Sequence, residues 1–319
     1  MINGSNINDD VFKNNMSNII YAVVVSYRFC EATLTRQFEL LKNQVDKIVW
    51  VDNADDERVG NICKIYDKNR LTCISLKKNF GIAVAQNIGI EHAELNGASH
   101  VLLMDQDSRP EEGMVDELLN ALSRLPDAGA VGPCYFDERR LKKISPFYSV
   151  KGRFKLIRQD CKKGGVVEVD HLIASGSLIP LEVLKEVGGM REEFFIDWVD
   201  VEWSLRAKKR GYKMYGVCAA TMFHTLGDSL YVIFGKEIPL HSPWRHYYQA
   251  RNLILTFWSG DVDISSRFLH VTRQAKRFLL FSTFVPNRLS YFKMWILGVV
   301  HGLKIISGRA VHYSPINHD

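Results

Sequence analysis

Residues 21–27 read Tyr-Ala-Val-Val-Val-Ser-Tyr, an uncharged run rich in β-branched side chains with no alternation of polar and apolar positions. A strand of that composition is apolar on both faces, as a central strand of a parallel sheet covered on each side must be. Residues 31–44 carry Leu34, Phe38 and Leu41 at helical spacing, and residues 47–51 (Lys-Ile-Val-Trp-Val) form a second strand ending in Asp52-Asn53. Strand, helix and strand with short links make a right-handed βαβ unit. Open α/β sheets bind ligands beyond the C-terminal ends of their strands, so Asp52 stands where a nucleotide base or ribose would lie. Capping the segment that begins at Glu57 is its alternative role.

The pattern continues. Residues 71–76 read as a third strand, Gly81 breaks it, and residues 82–95 have the small side chains of a helix that packs closely, its N-terminus turned to the sheet edge. Such an end, with Lys77 and Lys78 nearby, favours an anion. The three-glycine dinucleotide fingerprint is absent. Residues 101–104 (Val-Leu-Leu-Met) are a fourth strand that runs into Asp105-Gln106-Asp107. In an extended segment residues i and i+2 point to one side, so both carboxylates can converge on a hard cation such as Mg²⁺ or Mn²⁺. A solvated turn or a helix cap is the competing reading. Residues 111–125 are an amphipathic helix, 130–133 a short strand, 137–165 a charged, irregular excursion, and 168–173 a strand leading into Ser175-Gly176-Ser177. Glycine there lets a ligand approach the backbone, or marks an ordinary bulge.

A second acidic cluster occupies residues 192–206. Asp197, Asp200 and Glu202 lie among Phe194, Phe195, Trp198 and Trp203. Burial raises a carboxylate pKa and suits one of the three to general-base work; the alternative makes Asp200 an N-cap and Glu202 a partner of the helix dipole. Residues 212–217 read as an edge strand. His224 follows, able to complete a site begun by Asp105 and Asp107. Trp244-Arg245-His246-Tyr247-Tyr248 and Arg251-Asn252 supply aromatics and donors suited to a sugar or a phosphate, or else a core helix.

With 46% apolar residues over 319 positions, the chain can build a large core without covalent staples. Its six cysteines show no Cys-x-x-Cys spacing, which points to reduced thiols and away from a zinc ribbon or a disulfide framework. Residues 1–18 are polar, Asn-rich and unlike a signal peptide, and read as a disordered lead-in. The net charge of +5 is unevenly spread: residues 264–318 hold eight Lys or Arg and no Asp or Glu. With Phe278, Phe281, Phe284, Phe292 and Trp295 between those cations, this stretch reads as a basic amphipathic membrane-surface element. Packing on the main domain is its alternative, and nucleic acid is disfavoured as a partner. The longest apolar stretch, 294–300, is too short for a span.

Taken in order, Val25-Ser26-Tyr27, Val51-Asp52-Asn53, Lys78-Asn79-Phe80-Gly81-Ile82-Ala83 with Gln86-Asn87, Asp105-Gln106-Asp107-Ser108, Ser175-Gly176-Ser177, residues 195–203 and His224 resemble the family 2 glycosyltransferases of GT-A fold. Within that family they look most like the bacterial rhamnosyltransferases of O-antigen and cell-wall polysaccharide assembly. The resemblance covers residues 20–256. It implies an α/β, Rossmann-like, mostly parallel mixed sheet flanked by helices over residues 19–258, ahead of the basic helical extension at 259–319. It also implies an inverting enzyme that uses a nucleotide sugar, dTDP-β-L-rhamnose, with Mg²⁺ or Mn²⁺. A UDP-dependent galactofuranosyl or hexosaminyl transferase of the same fold is the runner-up.

Carried over, Asp52 reads the pyrimidine, Asp105 and Asp107 are the acidic metal motif, His224 is a further metal or diphosphate contact, and Asp200 is the catalytic base. Val25, Tyr27, Asn53, Lys78, Asn79, Gly81, Asn87 and Gln106 would join Asp52 and Asp105 on the donor side. Ser175, Gly176, Asp197, Trp198, Glu202 and Arg251 would serve acceptor and sugar. The tail adds a polyprenyl-diphosphate-linked saccharide as acceptor at the cytoplasmic face of the bacterial inner membrane, with homo-oligomerisation left open. A nucleotidyltransferase would need a basic glycine-rich phosphate loop after the first strand, which Val25-Ser26-Tyr27-Arg28 lacks. A non-catalytic membrane protein would leave the ordered acids idle.

Overall fold

In the computed structural model, which describes residues 18–308 except 138, 140–146, 152–154, 160, 162–164, 226 and 228, β1 (Ile20–Ser26) is buried at every position. Tyr21, Val23 and Val25 enter one apolar layer, and Ile20, Ala22 and Val24 the other. Both faces are therefore covered, as the unbroken apolar run requires. α1 (Glu31–Leu41) lays Leu34, Phe38 and Leu41 on the second layer and leads to β2 (Lys47–Asp52), parallel to β1 with Ser26 opposite Asp52. α2 (Arg58–Ile65), β3 (Leu71–Ser75), α3 (Ile82–Leu95) and β4 (His100–Asp105) complete this half. β3 lies parallel to β2, and β4 parallel to β1 with Asp105 opposite Val25. A Cβ at Gly89 of α3 would overlap Val23 Cγ1, so the small residues do bring this helix down onto the sheet.

The second half is mixed. It comprises β5 (Arg109–Pro110), α4 (Met114–Leu122), β6 (Ala128–Phe136), the hairpin β7 (Phe147–Lys151) and β8 (Lys155–Gln159), β9 (Val166–Val169), β10 (Leu178–Pro180), α5 (Leu181–Val187), α6 (Val199–Lys209) and β11 (Lys213–Phe223). The sheet runs β3-β2-β1-β4-β10-β6-β11-β5 with β9 on β11; β10 is antiparallel to its neighbours, and β11 is parallel to β6. This is the mostly parallel mixed sheet flanked by helices that the family resemblance implied.

Four local expectations change. β11 is an eleven-residue interior strand rather than an edge strand over 212–217, so it delivers His224 directly from its end. The described part of 137–165 contains the β7–β8 hairpin, and the strand expected at 168–173 ends at Val169. Cysteines expected to be reduced meet in the fold: Cys63 is bonded to Cys73, ten positions on, and Cys161 to Cys218, while Cys134, whose thiol burial pushes up to about 12, lies 2.6 Å from Cys161 Sγ. Sequence spacing carries no information on such pairs. The proposed lead-in at residues 1–18 falls, except for its last residue, outside the described residues.

The chain closes with the hairpin β12 (Ser229–Ile233) and β13 (Lys236–Leu240) and three helices, α7 (Pro243–Trp258), α8 (Ile264–Phe284) and α9 (Arg288–Ile306). α7 is a core helix. Against it α9 packs through Gly298 and Gly302, where a Cβ would overlap Tyr247 O and lie 2.9 Å from Ile254 Cβ. The basic extension thus packs on the main body, yet α9 is also long and apolar enough, by length and composition, to cross a membrane. Residues 294–300 understate it because Lys293, His301 and Lys304 interrupt the apolar run without ending the helix.

Candidate active site

Parallel register puts Ser26, Asp52 and Asp105 side by side at one edge of the sheet. Asp52 is fully buried. Trp50 Nε1 donates to Ser26 Oγ at 2.8 Å, and Ser26 Oγ donates to Asp52 Oδ1 at 2.9 Å, while among the described residues the buried Oδ2 has no hydrogen-bond partner. Burial raises this carboxyl above the ordinary range. An orphaned acceptor at a strand tip suits an N–H from outside the chain. Below it, Asn53 Nδ2 donates to Asn79 Oδ1 (3.0 Å) and Asn53 Oδ1 accepts from Phe80 N (2.9 Å), which ties the 77–81 loop to the strand tips. Lys78 Nζ lies over the Phe80 ring at 4.5 Å. Gly81, at φ +91°, passes so close to Phe195 that a Cβ would stand 2.6 Å from its carbonyl oxygen, so this loop abuts the second acidic cluster. Gln106 locks Tyr27, accepting from its N–H at 2.8 Å and donating to its carbonyl at 3.2 Å.

Around Asp105 and Asp107 the chain builds a rigid polar turn. The wholly buried Gln37, from α1, donates to the carbonyls of Asp105 and Ser108, both at 2.6 Å. Ser175 Oγ accepts from Asp105 N (3.1 Å) and donates to Ser108 Oγ (2.6 Å), which lies 2.8 Å from His224 Nδ1. Ligand atoms of Asp105, Asp107 and His224 all fall within 4.8 Å of one another. Two carboxylates and an imidazole are a fitting donor set for Mn²⁺ or Mg²⁺. Burial pushes the Asp105 carboxyl up to about 6, with Asp107 and Asp200 adding to the rise and His224 opposing it. A cavity of about 470 Å³ opens beside Asp107 and His224, lined also by Arg36 and Arg109.

The second cluster sits on a strained loop. Phe195, Asp197 and Trp198 adopt φ values of +63°, +62° and +68°, unusual for side-chain-bearing residues and costing about 1–3 kcal/mol each. Helix α7 holds them there. Asn252 Nδ2 donates to the carbonyls of Phe194, Ile196 and Asp197 (3.0, 3.0 and 2.8 Å), and Arg251 to those of Glu193 and Phe194. Arg245 grips Asp197 with two bonds of 2.9 and 2.8 Å; burial alone would raise that carboxyl, but the guanidinium holds it below the usual range. Asp200, in the first turn of α6, accepts from Val201 N at 2.8 Å and Ala174 N at 3.2 Å, and burial raises its pKa.

Several expected site residues have other employment. Asn87 exchanges hydrogen bonds with the backbone of Met190 at 2.9 and 2.7 Å, away from the strand tips. Glu202 is buried in an ion cluster with Arg206 (2.9 Å) and Arg191 (2.8 Å), and Arg251 is occupied by loop carbonyls, so neither is brought to the cavity. Gly176 presses against Pro133, where a Cβ would be 2.6 Å from Cγ; it seats the loop on β6. Val25, Tyr27, Asn53, Asn79, Gly81 and Gln106 do gather around Asp52 and Asp105. Ser175, Asp197 and Trp198 adjoin Asp200. Unforeseen are Gln37 and a buried Asp170 that bonds His171 (2.9 Å) and approaches His270 (3.0 Å) and Lys208 (3.3 Å), while Arg245 and Asn252, read as donors for a sugar or a phosphate, hold the loop instead.

Residues 22–188 match the Glycosyl transferase family 2 model. Over 308 residues, 92% of this chain and 98% of the other, the chain is 32% identical to the dTDP-rhamnosyl transferase RfbF of Shigella flexneri. Among solved structures it is similar to S. aureus TarS 1-349 in complex with UDP-GlcNAc (15% identity, TM-score 0.58, covering 90% of this chain and 81% of that one). It is also similar to the mannosyltransferase PcManGT of Pyrobaculum calidifontis in complex with GDP-Man and Mn²⁺ (12% identity, TM-score 0.55, covering 91% and 88%).

Proposed function

The chain belongs to glycosyl transferase family 2, and on that premise we propose that it moves L-rhamnose from dTDP-β-L-rhamnose to a hydroxyl of a lipid-linked saccharide, inverting the anomeric centre. One observation carries the choice of donor: the similarity to dTDP-rhamnosyl transferase RfbF runs over nearly the whole of both chains. In this reading Asp52 Oδ2, the orphaned acceptor, takes the pyrimidine N–H, and the 77–81 loop with Tyr27 borders the nucleoside. A divalent cation held by Asp105, Asp107 and His224 would neutralise charge growing on the departing diphosphate. Asp200 removes the acceptor hydroxyl proton as that oxygen attacks the anomeric carbon. The new C–O bond forms on the face opposite the breaking bond, the leaving oxygen departs with dTDP, and the proton stays on Asp200. Arg245 keeps Asp197 ionised and still, which fixes the loop that carries Asp200.

A thermal-shift series with Mn²⁺ and dTDP-rhamnose, UDP-galactose, UDP-galactofuranose or UDP-N-acetylglucosamine tests the donor. A ligand at 100 times its Kd adds about 2.7 kcal/mol, so dTDP-rhamnose is expected to raise the melting temperature by several degrees and the UDP sugars by less. A larger rise with any UDP sugar overturns the donor assignment and favours a galactofuranosyl or hexosaminyl transferase.

We further propose that residues 259–319 seat the enzyme on the cytoplasmic face of the bacterial inner membrane. Phe234 (78% exposed), Leu279 (63%) and Leu289 (69%) project from β12–β13, α8 and α9, with Phe234 edge-on to Phe284 at 4.9 Å and Lys276, Arg288 and Lys293 exposed in the same segments. Such a surface combines apolar insertion with attraction to anionic headgroups. The protein is expected to float with vesicles containing phosphatidylglycerol, to release in high salt, and to lose most binding in a Phe234→Asp, Leu279→Asp variant. Equal recovery of variant and wild type with the vesicles would refute this seating.

A further inference from the structure

Helix α8 turns His270, Arg273, Gln274 and Arg277 toward the site at i, i+3, i+4 and i+7, the spacing of one helical face. Two recesses of about 490 and 180 Å³ meet there, sharing His171, His241, Arg273 and Arg277. The smaller reaches Asp200; the larger runs out past Pro133, Tyr135 and Tyr148. Other arginines around this half of the molecule are engaged by protein partners: Arg245 by Asp197, Arg251 by loop carbonyls, Arg206 and Arg191 by Glu202. Among the described residues Arg273 and Arg277 have neither a hydrogen bond nor an ion pair. Burial lowers the pKa of both guanidiniums; Asp170 opposes the fall for Arg273 and Asp197 for Arg277, while the charges of Arg273 and Arg245 add to it for Arg277.

Two partly buried cations whose nearest acids, Asp170 and Asp197, are bonded to other groups gain from an anion that joins them directly. The acids nearby are already engaged. Asp197 belongs to Arg245, Asp200 to two backbone N–H groups, and Asp170 to His171, His270 and Lys208; among the described residues Glu237 lines the outer wall. His241 Nδ1 lies 2.9 Å from Arg245 Nη1. The larger recess is lined by two arginines against one acid, Glu237, holds no residue of the Asp105–Asp107–His224 trio, and opens past Phe147, Pro239 and Ile238, apolar groups of the kind an isoprenoid would touch.

We propose that Arg273 and Arg277 form the subsite for the diphosphate of a polyprenyl-diphosphate-linked acceptor, holding its sugar beside Asp200. The inference rests on the lipid-linked acceptor reading but is independent of the donor sugar. It gives α8 a second role, in which its inward arginines grip the head of the lipid whose membrane its outward Leu279 and Phe284 touch. The donor also carries a diphosphate, so the test must separate the two sources.

The full-length protein is saturated with dTDP and Mn²⁺, and geranyl diphosphate, geraniol and inorganic pyrophosphate are titrated by calorimetry. Geranyl diphosphate is expected to bind with dTDP still bound, at least tenfold more tightly than geraniol. Arg273→Gln with Arg277→Gln should weaken it roughly 10–100-fold, the scale of two lost charge-assisted hydrogen bonds, with dTDP affinity kept and Arg277→Lys recovering part of the loss. Displacement of dTDP by geranyl diphosphate would assign the arginines to the donor, and equal affinity for variant and wild type would remove them from any anion site; either result overturns the proposal. If the double variant does not fold, the wild-type competition with dTDP decides alone. Failure of dTDP-rhamnose to bind would refute the donor assignment and leave the geranyl diphosphate result intact.

Discussion

Asp200→Asn is expected to fold, to bind dTDP-rhamnose with near wild-type affinity, and to turn over about 10²–10⁴-fold more slowly, the usual loss when a positioned base is removed. The fold should survive because two effects nearly cancel. Asparagine keeps one carbonyl oxygen for the Val201 or Ala174 N–H and turns an amide toward the other, losing a hydrogen bond worth about 1 kcal/mol. Against that, burial raises the folded pKa of Asp200 above its unfolded value, so its contribution to stability is fully present below the unfolded pKa and is lost as pH rises through the folded one. At neutral pH the ion is a liability, and the neutral amide removes it. The same shift fixes the pH profile: a base works unprotonated, so kcat/KM of the wild type should fall on the acid side with an apparent pKa above the ordinary aspartate value. Turnover of the variant within a few fold of wild type, measured with the authentic acceptor, would remove Asp200 from the chemistry.

That Asp200 can be proposed as the base reflects which parts of this fold are written locally. β1 is legible because an apolar run with no alternation has one use, burial on both faces, and the register of the βαβ unit then aligns Ser26, Asp52 and Asp105 without further information. Asp200 stands out because acids among aromatics are costly unless used. What escapes are residues whose meaning lies in a distant partner. Gln37 looks like a polar position on an amphipathic helix, yet it is wholly buried and bridges carbonyls about seventy positions away. Asn252 holds three carbonyls of the strained loop more than fifty positions upstream, and the adjacent Arg251, expected at the acceptor, shares that work. Glu202 and Asn87 mislead in the same way: their polarity is visible, but not the Arg191, Arg206 and Met190 groups that consume it. The arginines of α8 read as membrane-facing charge because a sequence does not say which face of a helix turns inward.

Asp107→Ala should abolish the metal-dependent part of dTDP binding while leaving the fold intact, and the geometry indicates why this acid and not its neighbour is the cleaner probe. Asp105 is anchored in the sheet, its N–H bonded to Ser175 and its carbonyl to Gln37, and its charge is coupled to His224, Asp107 and Asp200. Substituting it would keep those backbone bonds but change the charge balance with His224, Asp107 and Asp200 as well as any bound ion. Asp107 lies on the rim, its side chain 48% exposed, with His224 Nδ1 3.7 Å away and the 470 Å³ cavity in front of it. Its loss leaves Asp105 and His224 in place but reduces the set to one carboxylate and one imidazole, which a hard divalent ion holds poorly. Loss of an outer-shell partner alone typically costs about 10–100-fold in metal affinity, and deleting a ligand should exceed that. Calorimetric titration of dTDP with Mn²⁺, and again with EDTA, is expected to show a large difference for wild type and none for Asp107→Ala, with matching melting temperatures in the absence of metal. Retention of the Mn²⁺-dependent increment by the variant would exclude Asp107 as a ligand, and with it the proposed division of labour: cation and leaving diphosphate at the first acidic pair, proton at the second.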